Sequence, residues 1–304
     1  MINKNLTITG PGANLLSVSG NNSSRVFQTS SGATVTINNL TVTNGNGGGI
    51  LVYDSILNLN NSTVSNNSAI SGAGICITPS GLVGTANVSN CTISGNTATS
   101  IGGGIYSAID GSGTACGILT LTNSTLSGNS APTGGGLAAY CTGAGSVTIT
   151  NSTLSNNTAN ASSGGGIYNE AYIKLINSIV ANNTGGDIVN LGSTTDAQYS
   201  LIKEGLSNIN GVNSSNLTGD PLLGPQQDNG GPTQTIALLP GSPAINAGNN
   251  ALAVDQNNQP LATDQRGPGF PRISPSNGTV DIGAFELQCI NNPVVTNNND
   301  AGPG

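Results

Sequence analysis

The sequence predicts an all-β protein: a right-handed parallel β-helix with an irregular C-terminal capping region. Three observations predict it. Similar units recur along the chain, short stretches in each unit alternate apolar with polar residues, and the composition is rich in Gly and Asn. Only 6% of the 304 residues are charged. A disordered chain would normally be rich in charge and proline, so this composition favours an elongated β structure with side-chain ladders.

One asparagine in each unit, called the anchor here, sets the register of the repeat. Apolar residues lie four and two residues before the anchor and three residues after it, as Val147, Ile149 and Leu154 do around Asn151. This alternation is typical of strands with one buried face, and no segment has a 3.6-residue period. A unit this short cannot close its own core, so it must stack on its neighbours. The anchors are Asn39, Asn61, Asn90, Asn123, Asn151 and Asn177, and Gly10 and Tyr199 extend the series.

A second asparagine follows the anchor by six residues in most units. Equivalent turns of stacked coils lie one above another, so both asparagine rows are predicted to form ladders in which each amide bonds the next coil. Asn61, Asn123 and Asn151 also match the glycosylation pattern Asn-x-Ser/Thr, but burial in a ladder is the favoured interpretation. The second row is Asn67, Asn96, Asn129, Asn157 and Asn183.

Glycine clusters follow the second asparagine, at residues 72–74, 102–104, 134–136 and 164–166. A phosphate-binding loop would need a helix after the glycines and, in its common form, a lysine. Strand residues follow instead and no lysine is near. The clusters are therefore predicted to be places where the coil turns tightly or where two coils approach closely.

The composition changes after about residue 205, since only three of the fourteen prolines precede that point. Residues 1–205 are predicted to form the β-helix repeats, residues 206–288 a C-terminal cap, and residues 289–304 a linker or the lead-in to a following domain or subunit. Open coil ends expose unpaired strand edges, so the cap is predicted to cover the end of the helix.

Two segments of this C-terminal region carry a resemblance to a known family. The stretches "DNGGPTQTIALLPGSPAINAG" and "DQRGPGFPR…GTVDIGAFE" resemble the C-terminal module of choice-of-anchor Q domain proteins, which are exported bacterial surface proteins. The phrase "NSTLSNNTA…GGGIY" is similar to the repeats of polymorphic outer-membrane proteins, although the phenylalanine of their second phrase is absent. The resemblance implies an extracellular β-helix and brings no catalytic residues with it.

Charge and composition exclude several classes of function. The net charge is −7 with only six Lys and Arg residues, which argues against nucleic-acid binding and against attraction to anionic membranes. No apolar stretch is long enough to span a bilayer, so direct membrane insertion is not expected. The chain has no histidine, which excludes catalytic triads and imidazole metal sites. No cofactor, metal or enzymatic activity is predicted. The N-terminal residues lack the apolar core of a signal peptide, so an export signal is expected to lie outside this chain.

The strongest charged group in the sequence is Asp264, Arg266, Asp281 and Glu286. It fits either a carboxylate or metal site or a clamp in which arginine bridges two segments, and the clamp is the prediction. Five cysteines occur, and the thiols are expected to pack as small apolar groups. A disulfide between Cys116 and Cys141 is geometrically allowed, because both precede consecutive anchors.

These observations predict a non-catalytic structural protein of the cell exterior, a rod that forms or decorates a fibre, sheath or adhesin stalk. Its predicted partner is itself, end to end or in tandem, and a host or matrix surface is a second candidate. The exposed edge at Leu6 and Ile8 would receive a strand of the next unit. A passive spacer has the same sequence features. The alternative is a carbohydrate-binding or polysaccharide-cleaving β-helix, which aromatic side chains on one outer face would favour. Tyr106 and Tyr168 follow equivalent glycine clusters, a pairing that more often reflects packing at a corner.

Overall fold

The computed structural model of the chain describes residues 1–111, 113, 115–141, 146–274 and 278–288. This part of the chain is built from short strands that stack in three long parallel sheets. Residues 289–304, predicted to be a linker or lead-in, lie outside the described residues.

Each sheet takes one strand from each successive coil, and the strands are numbered in chain order. Sheet 1 contains β1 (Leu6–Thr9), β4 (Thr34–Asn38), β7 (Ile56–Asn60), β11 (Thr85–Ser89), β15 (Ile118–Thr122), β18 (Ser146–Thr150), β21 (Tyr172–Ile176), β24 (Thr195–Gln198) and β26 (Asn213–Ser214). Sheet 2 contains β2 (Ser17–Ser19), β5 (Thr41–Thr43), β8 (Thr63–Ser65), β12 (Thr92–Ser94), β16 (Thr125–Ser127), β19 (Thr153–Ser155), β22 (Ile179–Ala181) and β25 (Leu201–Ile202). Sheet 3 contains β3 (Phe27–Thr29), β6 (Ile50–Tyr53), β10 (Ile75–Thr78), β14 (Ile105–Ser107), β17 (Leu137–Tyr140), β20 (Ile167–Glu170) and β23 (Ile188–Asn190).

Smaller elements complete the described part. Strands β9 (Ser68–Ser71) and β13 (Thr97–Ile101) form a parallel pair beside the glycine clusters. In the C-terminal region, β27 (Leu223–Gln227) and β28 (Thr235–Leu238) form an antiparallel pair, and a single 3₁₀ turn spans Asn250–Leu252.

The pairing register confirms the parallel β-helix predicted from the repeat. Leu57 pairs with Val35 on one side and Ala86 on the other, and Leu126 lies between Ile93 and Leu154 in the same way. The apolar positions aligned in the sequence therefore stack coil upon coil. They point inward and form one continuous buried cluster along the helix axis. Burial of this shared apolar surface holds together coils that could not fold singly.

The anchors lie where the chain turns from sheet 1 into sheet 2. Each has a left-handed backbone, with φ between +45° and +57° from Asn39 to Asn177. Asparagine tolerates this conformation because its short side chain bonds locally, whereas β-branched residues avoid it. Tyr199, which extends the series, has φ +49°. One asparagine per unit thus marks the same corner of every coil.

Beyond the residues that pair with the last coil, the C-terminal region lies along the flank of the β-helix. Its polar groups meet the outward threonines of sheet 2. Thr92 donates to the carbonyl of Gln234 at 2.5 Å, and Thr125 donates to Gln265 Oε1 at 2.6 Å. Residue Thr153 accepts from the Ala284 backbone at 3.1 Å.

The stack of coils continues past residue 205, the predicted end of the repeats. Strand β26 pairs with β24, and Leu217 forms a parallel bridge with Leu201. Residues 205–217 therefore add pairing partners to the last coil. The residues that follow them lie along the flank.

Candidate functional site

The second asparagine row is a continuous ladder of buried side chains. The Nδ2 atom of each residue donates to Oδ1 of the next, at 2.9 Å from Asn67 to Asn96, Asn96 to Asn129 and Asn129 to Asn157, and at 3.0 Å from Asn157 to Asn183. Each Nδ2 also donates its second proton to a backbone carbonyl, as Asn96 does to Val64. Each Oδ1 also accepts a backbone N–H, as Asn129 Oδ1 does from Asn96 at 3.1 Å. Every amide proton is used, which is what a buried polar group requires.

An aspartate closes this ladder at its C-terminal end. Asp187 Oδ1 accepts from the side chain of Asn183 at 3.0 Å and from its backbone at 3.2 Å. The other oxygen, Oδ2, accepts from the Glu204 backbone at 3.1 Å. Burial raises the pKa of Asp187, opposed by the hydrogen bonds from Asn183. Sequence reasoning missed this residue, because Asp187 occupies the position at which the preceding coils have the last glycine of their cluster.

Among the anchor asparagines, the amide contact of the predicted ladder occurs between Asn177 and Asn151, where Asn177 Nδ2 lies 3.5 Å from the Asn151 amide. The side chains of three anchors, Asn123, Asn151 and Asn177, contact the C-terminal region. Asn123 donates to the Thr263 carbonyl at 2.8 Å, and Asn177 donates to the Asn249 carbonyl at 2.9 Å. In the amide orientation that satisfies the hydrogen bonds of both its oxygen and its nitrogen, the Asn151 oxygen accepts from Arg272 Nη2 at 2.9 Å. The corner that the anchors form is thus the docking line for residues 249–272.

A serine ladder beside the anchors was also missed. Each serine follows its anchor and is buried, and its hydroxyl donates to the carbonyl two residues earlier. The hydroxyl accepts the backbone N–H of the coil before, at 3.1 Å from Ser124 to Ser152, Ser152 to Ser178 and Ser178 to Ser200. The repeated Asn-Ser dipeptide was the available signal. Asn123 and Asn151 are themselves buried, so glycosylation in the folded chain would be blocked.

The clamp predicted in the C-terminal region centres on Arg266. Its Nη2 lies 2.6 Å from Asp264 Oδ2 and donates to the Glu286 carbonyl at 2.5 Å. The guanidinium lies between the rings of Phe270 and Phe285, 3.9 and 3.8 Å from their centroids. Arg266 therefore joins two segments twenty residues apart, with the carboxylate of one and the backbone of the other.

A second arginine, Arg272, lies at the centre of the same group and was not predicted. It is fully buried, and its Nη2 donates to the carbonyls of Asp281 at 2.6 Å and Gly283 at 2.8 Å. It lies 3.8 Å from Glu286 Oε2 and contacts Asn151 on the β-helix. No sequence pattern around Arg272 indicates a special role for it. That role depends on contacts with the anchor corner, which is distant in the sequence.

The carboxylates of this group are occupied by backbone donors. Asp281 accepts N–H groups of Asn246 at 2.7 Å and Leu287 at 2.6 Å, and Glu286 accepts that of Asp281 at 2.8 Å. Burial raises the pKa of Glu286 to about 8, although Arg272 opposes the shift. Burial also raises the pKa of Asp281 and lowers that of Arg272. The arrangement suits a structural clamp, in which backbone N–H groups hold the carboxyl groups in place.

The raised pKa of Glu286 leads to a pH prediction. Folding favours its protonated form, so stability should fall as pH rises from about 5 to 8, where the folded chain gives up a proton that the unfolded chain lost earlier. We expect Glu286→Gln to flatten this decline, by an amount on the order of 3 kcal/mol between the two pH values. Urea unfolding of both chains at each pH measures the difference. Parallel pH profiles for the two would contradict the assignment.

The structure brings Cys116 and Cys141 together in a disulfide, with their Cα atoms 5.7 Å apart. The bond links two successive coils near the start of β15 and β18. Cys76 and Cys91 are free, and burial raises their pKa to about 11 and about 12, respectively. Cys91 occupies a serine-ladder position and donates to the Ser89 carbonyl. Cys289 lies outside the described residues.

Two surface cavities lie away from the clamp. One, of about 320 Å³, is lined by hydroxyl and amide side chains of sheet 2, among them Thr63 and Thr92, and by Thr233. The other, of about 470 Å³, lies beside Val189 and Glu204 at the end of sheet 3. Across the described ranges, no cluster of three His, Cys, Asp or Glu residues has the geometry of a metal site.

Comparison of the chain with protein-family models, with curated proteins and with solved structures finds no match. No helix in the described part of the chain has the length and apolar character needed to cross a bilayer.

Proposed function

We propose that the chain is a non-catalytic structural protein of the cell exterior, a β-helical rod that assembles end to end into a fibre, sheath or stalk. Its mode of assembly is strand addition, in which a segment of one unit continues the three sheets of the next. The donor in this proposal is residues 289–304, which lie outside the described residues.

The incomplete burial of the first coil is the observation that supports this function. In the described chain, β1 and β2 each pair on one side only, and the second side of β3 forms a single bridge, with Ile2. Leu6 is 39% exposed, although its partner Val35 one coil further on is fully buried. Leu15 and Leu16 are exposed on the same coil. Open strand edges with exposed apolar side chains favour pairing with another chain.

The interior of the rod also suits an extracellular structural role. The asparagine and serine ladders and the single apolar core run through successive coils, so that mechanical load along the axis is shared by many hydrogen bonds. The Cys116–Cys141 disulfide is typical of proteins that work in oxidising compartments.

Assembly can be tested at the receiving edge and at the donor segment separately. We expect the intact chain to form oligomers that grow with concentration, and we expect both deletion of residues 289–304 and Leu6→Lys to leave monomers. Size-exclusion chromatography with light scattering, followed by electron microscopy, measures this. The control is Ile70→Lys, which adds the same charge at an apolar side chain that is 75% exposed on β9, outside the first coil. Fibres that form equally from all four chains would refute strand addition.

A further inference from the structure

The outer face of sheet 3 carries a row of side chains that the proposed structural role does not use. Strands of this sheet pair in register, so Cys76, Tyr106, Ala138, Tyr168 and Val189 follow one another along the axis. Their neighbours in each strand, such as Ile105 and Ile167, point into the core. The row is therefore outward-facing, and its two tyrosines are partly exposed.

A second outward row beside it adds two more tyrosines and an acid. Tyr53 and Tyr140 are 37% and 36% exposed, and Tyr140 pairs with Glu170 on the next strand. Tyr168 donates its hydroxyl to Glu170 Oε1 at 2.6 Å, which fixes the position of its ring. Four of the six tyrosines in the chain thus lie on this one face.

The glycine clusters keep this face open. A Cβ atom on Gly102 would lie 2.7 Å from the Cβ of Tyr106, and one on Gly134 would lie 2.6 Å from the Cβ of Ala138. No side chain can therefore stand at the corner beside the row. Ala138, between the two tyrosines, is small and fully buried, so the exposed surface of this row consists of the tyrosines on either side of it.

The spacing of the tyrosines indicates the kind of ligand. Tyr106 and Tyr168 lie two coils apart, or about 9.6 Å at the usual separation of strands. This separation is close to the two-sugar repeat of an extended β-1,4-linked polysaccharide, in which every second ring presents the same face. Apolar ring faces of sugars pack on tyrosine rings, while their hydroxyls bond to acids such as Glu170.

The cavity of about 470 Å³ lies at the C-terminal end of the same row. Val189, which pairs with Tyr168, lines it together with Glu204 and Asn208. Its volume is in the range of ligand-binding clefts. A chain that follows the row would reach this cavity at the next coil.

We propose that the outer face of sheet 3 binds a neutral β-1,4-linked polysaccharide that lies along the helix axis, with alternate sugar rings on Tyr106 and Tyr168. Neutral chains are favoured over acidic ones because Glu170 and Glu204 border the path and the chain has a net charge of −7. This activity is independent of end-to-end assembly, since the face lies along the side of the rod.

Affinity electrophoresis of the full chain in gels that contain hydroxyethylcellulose, xylan or polygalacturonate tests the proposal. We expect retardation in at least one of the two neutral gels and none in polygalacturonate. Tyr106→Ala and Tyr168→Ala should each weaken binding between about twofold and tenfold, and the double variant should lose retardation. Tyr168→Phe keeps the ring and should retain most of the binding.

The matched control is Tyr172→Ala, because Tyr172 is 41% exposed on the outer face of sheet 1 and bonds Asp196 much as Tyr168 bonds Glu170. It should bind as the unaltered chain does. Thermal unfolding of each variant separates lost binding from lost structure. No retardation in either neutral gel, stronger retardation in polygalacturonate, or an equal loss from Tyr172→Ala would each overturn the proposal.

Discussion

Replacing Asn129 by alanine should destabilise the chain by about 3 to 4 kcal/mol, the largest loss expected from removing any one side-chain amide of the inner ladder. Asn129 lies at the middle rung and is fully buried. Alanine would leave the Asn96 amide and the Ile93 carbonyl without their partners at 2.9 Å, in an interior that water does not reach. Chemical unfolding followed by circular dichroism measures the change.

The control for this experiment is Asn87→Ala, which removes an asparagine that also bonds its neighbour one coil away. Asn87 donates to Asn58 Oδ1 at 2.9 Å, but it lies on the outer face of sheet 1, where water can replace the lost bond. We expect a loss below about 1 kcal/mol there. Equal losses at the two positions would show that burial in the ladder is not what gives Asn129 its importance.

The ladder and the core were predictable from sequence because both depend on the repeat. Residues such as Val147 and Leu154 recur at fixed distances from an anchor, and parallel stacking turns equal sequence position into spatial contact. The position of a residue within the repeat therefore predicts which residue of the next coil it pairs with. The roles of the two asparagine rows were harder to separate, since a left-handed corner and an inward amide select the same residue type.

The C-terminal region has no such period, and its contacts could not be predicted. Thr92 and Thr125 occupy outward positions of sheet 2, where the alternation predicts exposure to water, yet Gln234 and Gln265 cover them. Arg272 reaches Asn151 from 121 positions further along the chain. Such contacts depend on how a non-repeating segment folds back, and local pattern carries no information about that.

The same limit applies to the outer face of sheet 3. In the sequence, Tyr106 and Tyr168 follow equivalent glycine clusters. That Tyr53 and Tyr140 lie on the same face follows only from the register of sheet 3. The strands of this sheet follow glycine clusters at variable distances from the anchors. Alignment of the units on the anchors alone therefore does not place these tyrosines at equivalent positions.

Replacing Gly135 by alanine should prevent stable stacking of the coils, with a loss of at least about 3 kcal/mol or failure to fold. Its backbone lies so close to the next coil that a Cβ atom would overlap the Thr158 carbonyl oxygen and lie 2.7 Å from that of Gly165. Both obstacles are backbone atoms held by the parallel pairing, so neither can move without separating two coils.

Gly111→Ala is the matched control, because nothing lies within 4 Å of the added methyl group, and it should change stability by less than about 1 kcal/mol. Soluble yield and thermal unfolding of the two variants compare them directly. A Gly135→Ala chain that melts within a few degrees of the unaltered chain would mean that neighbouring coils can separate far more easily than their hydrogen bonds indicate.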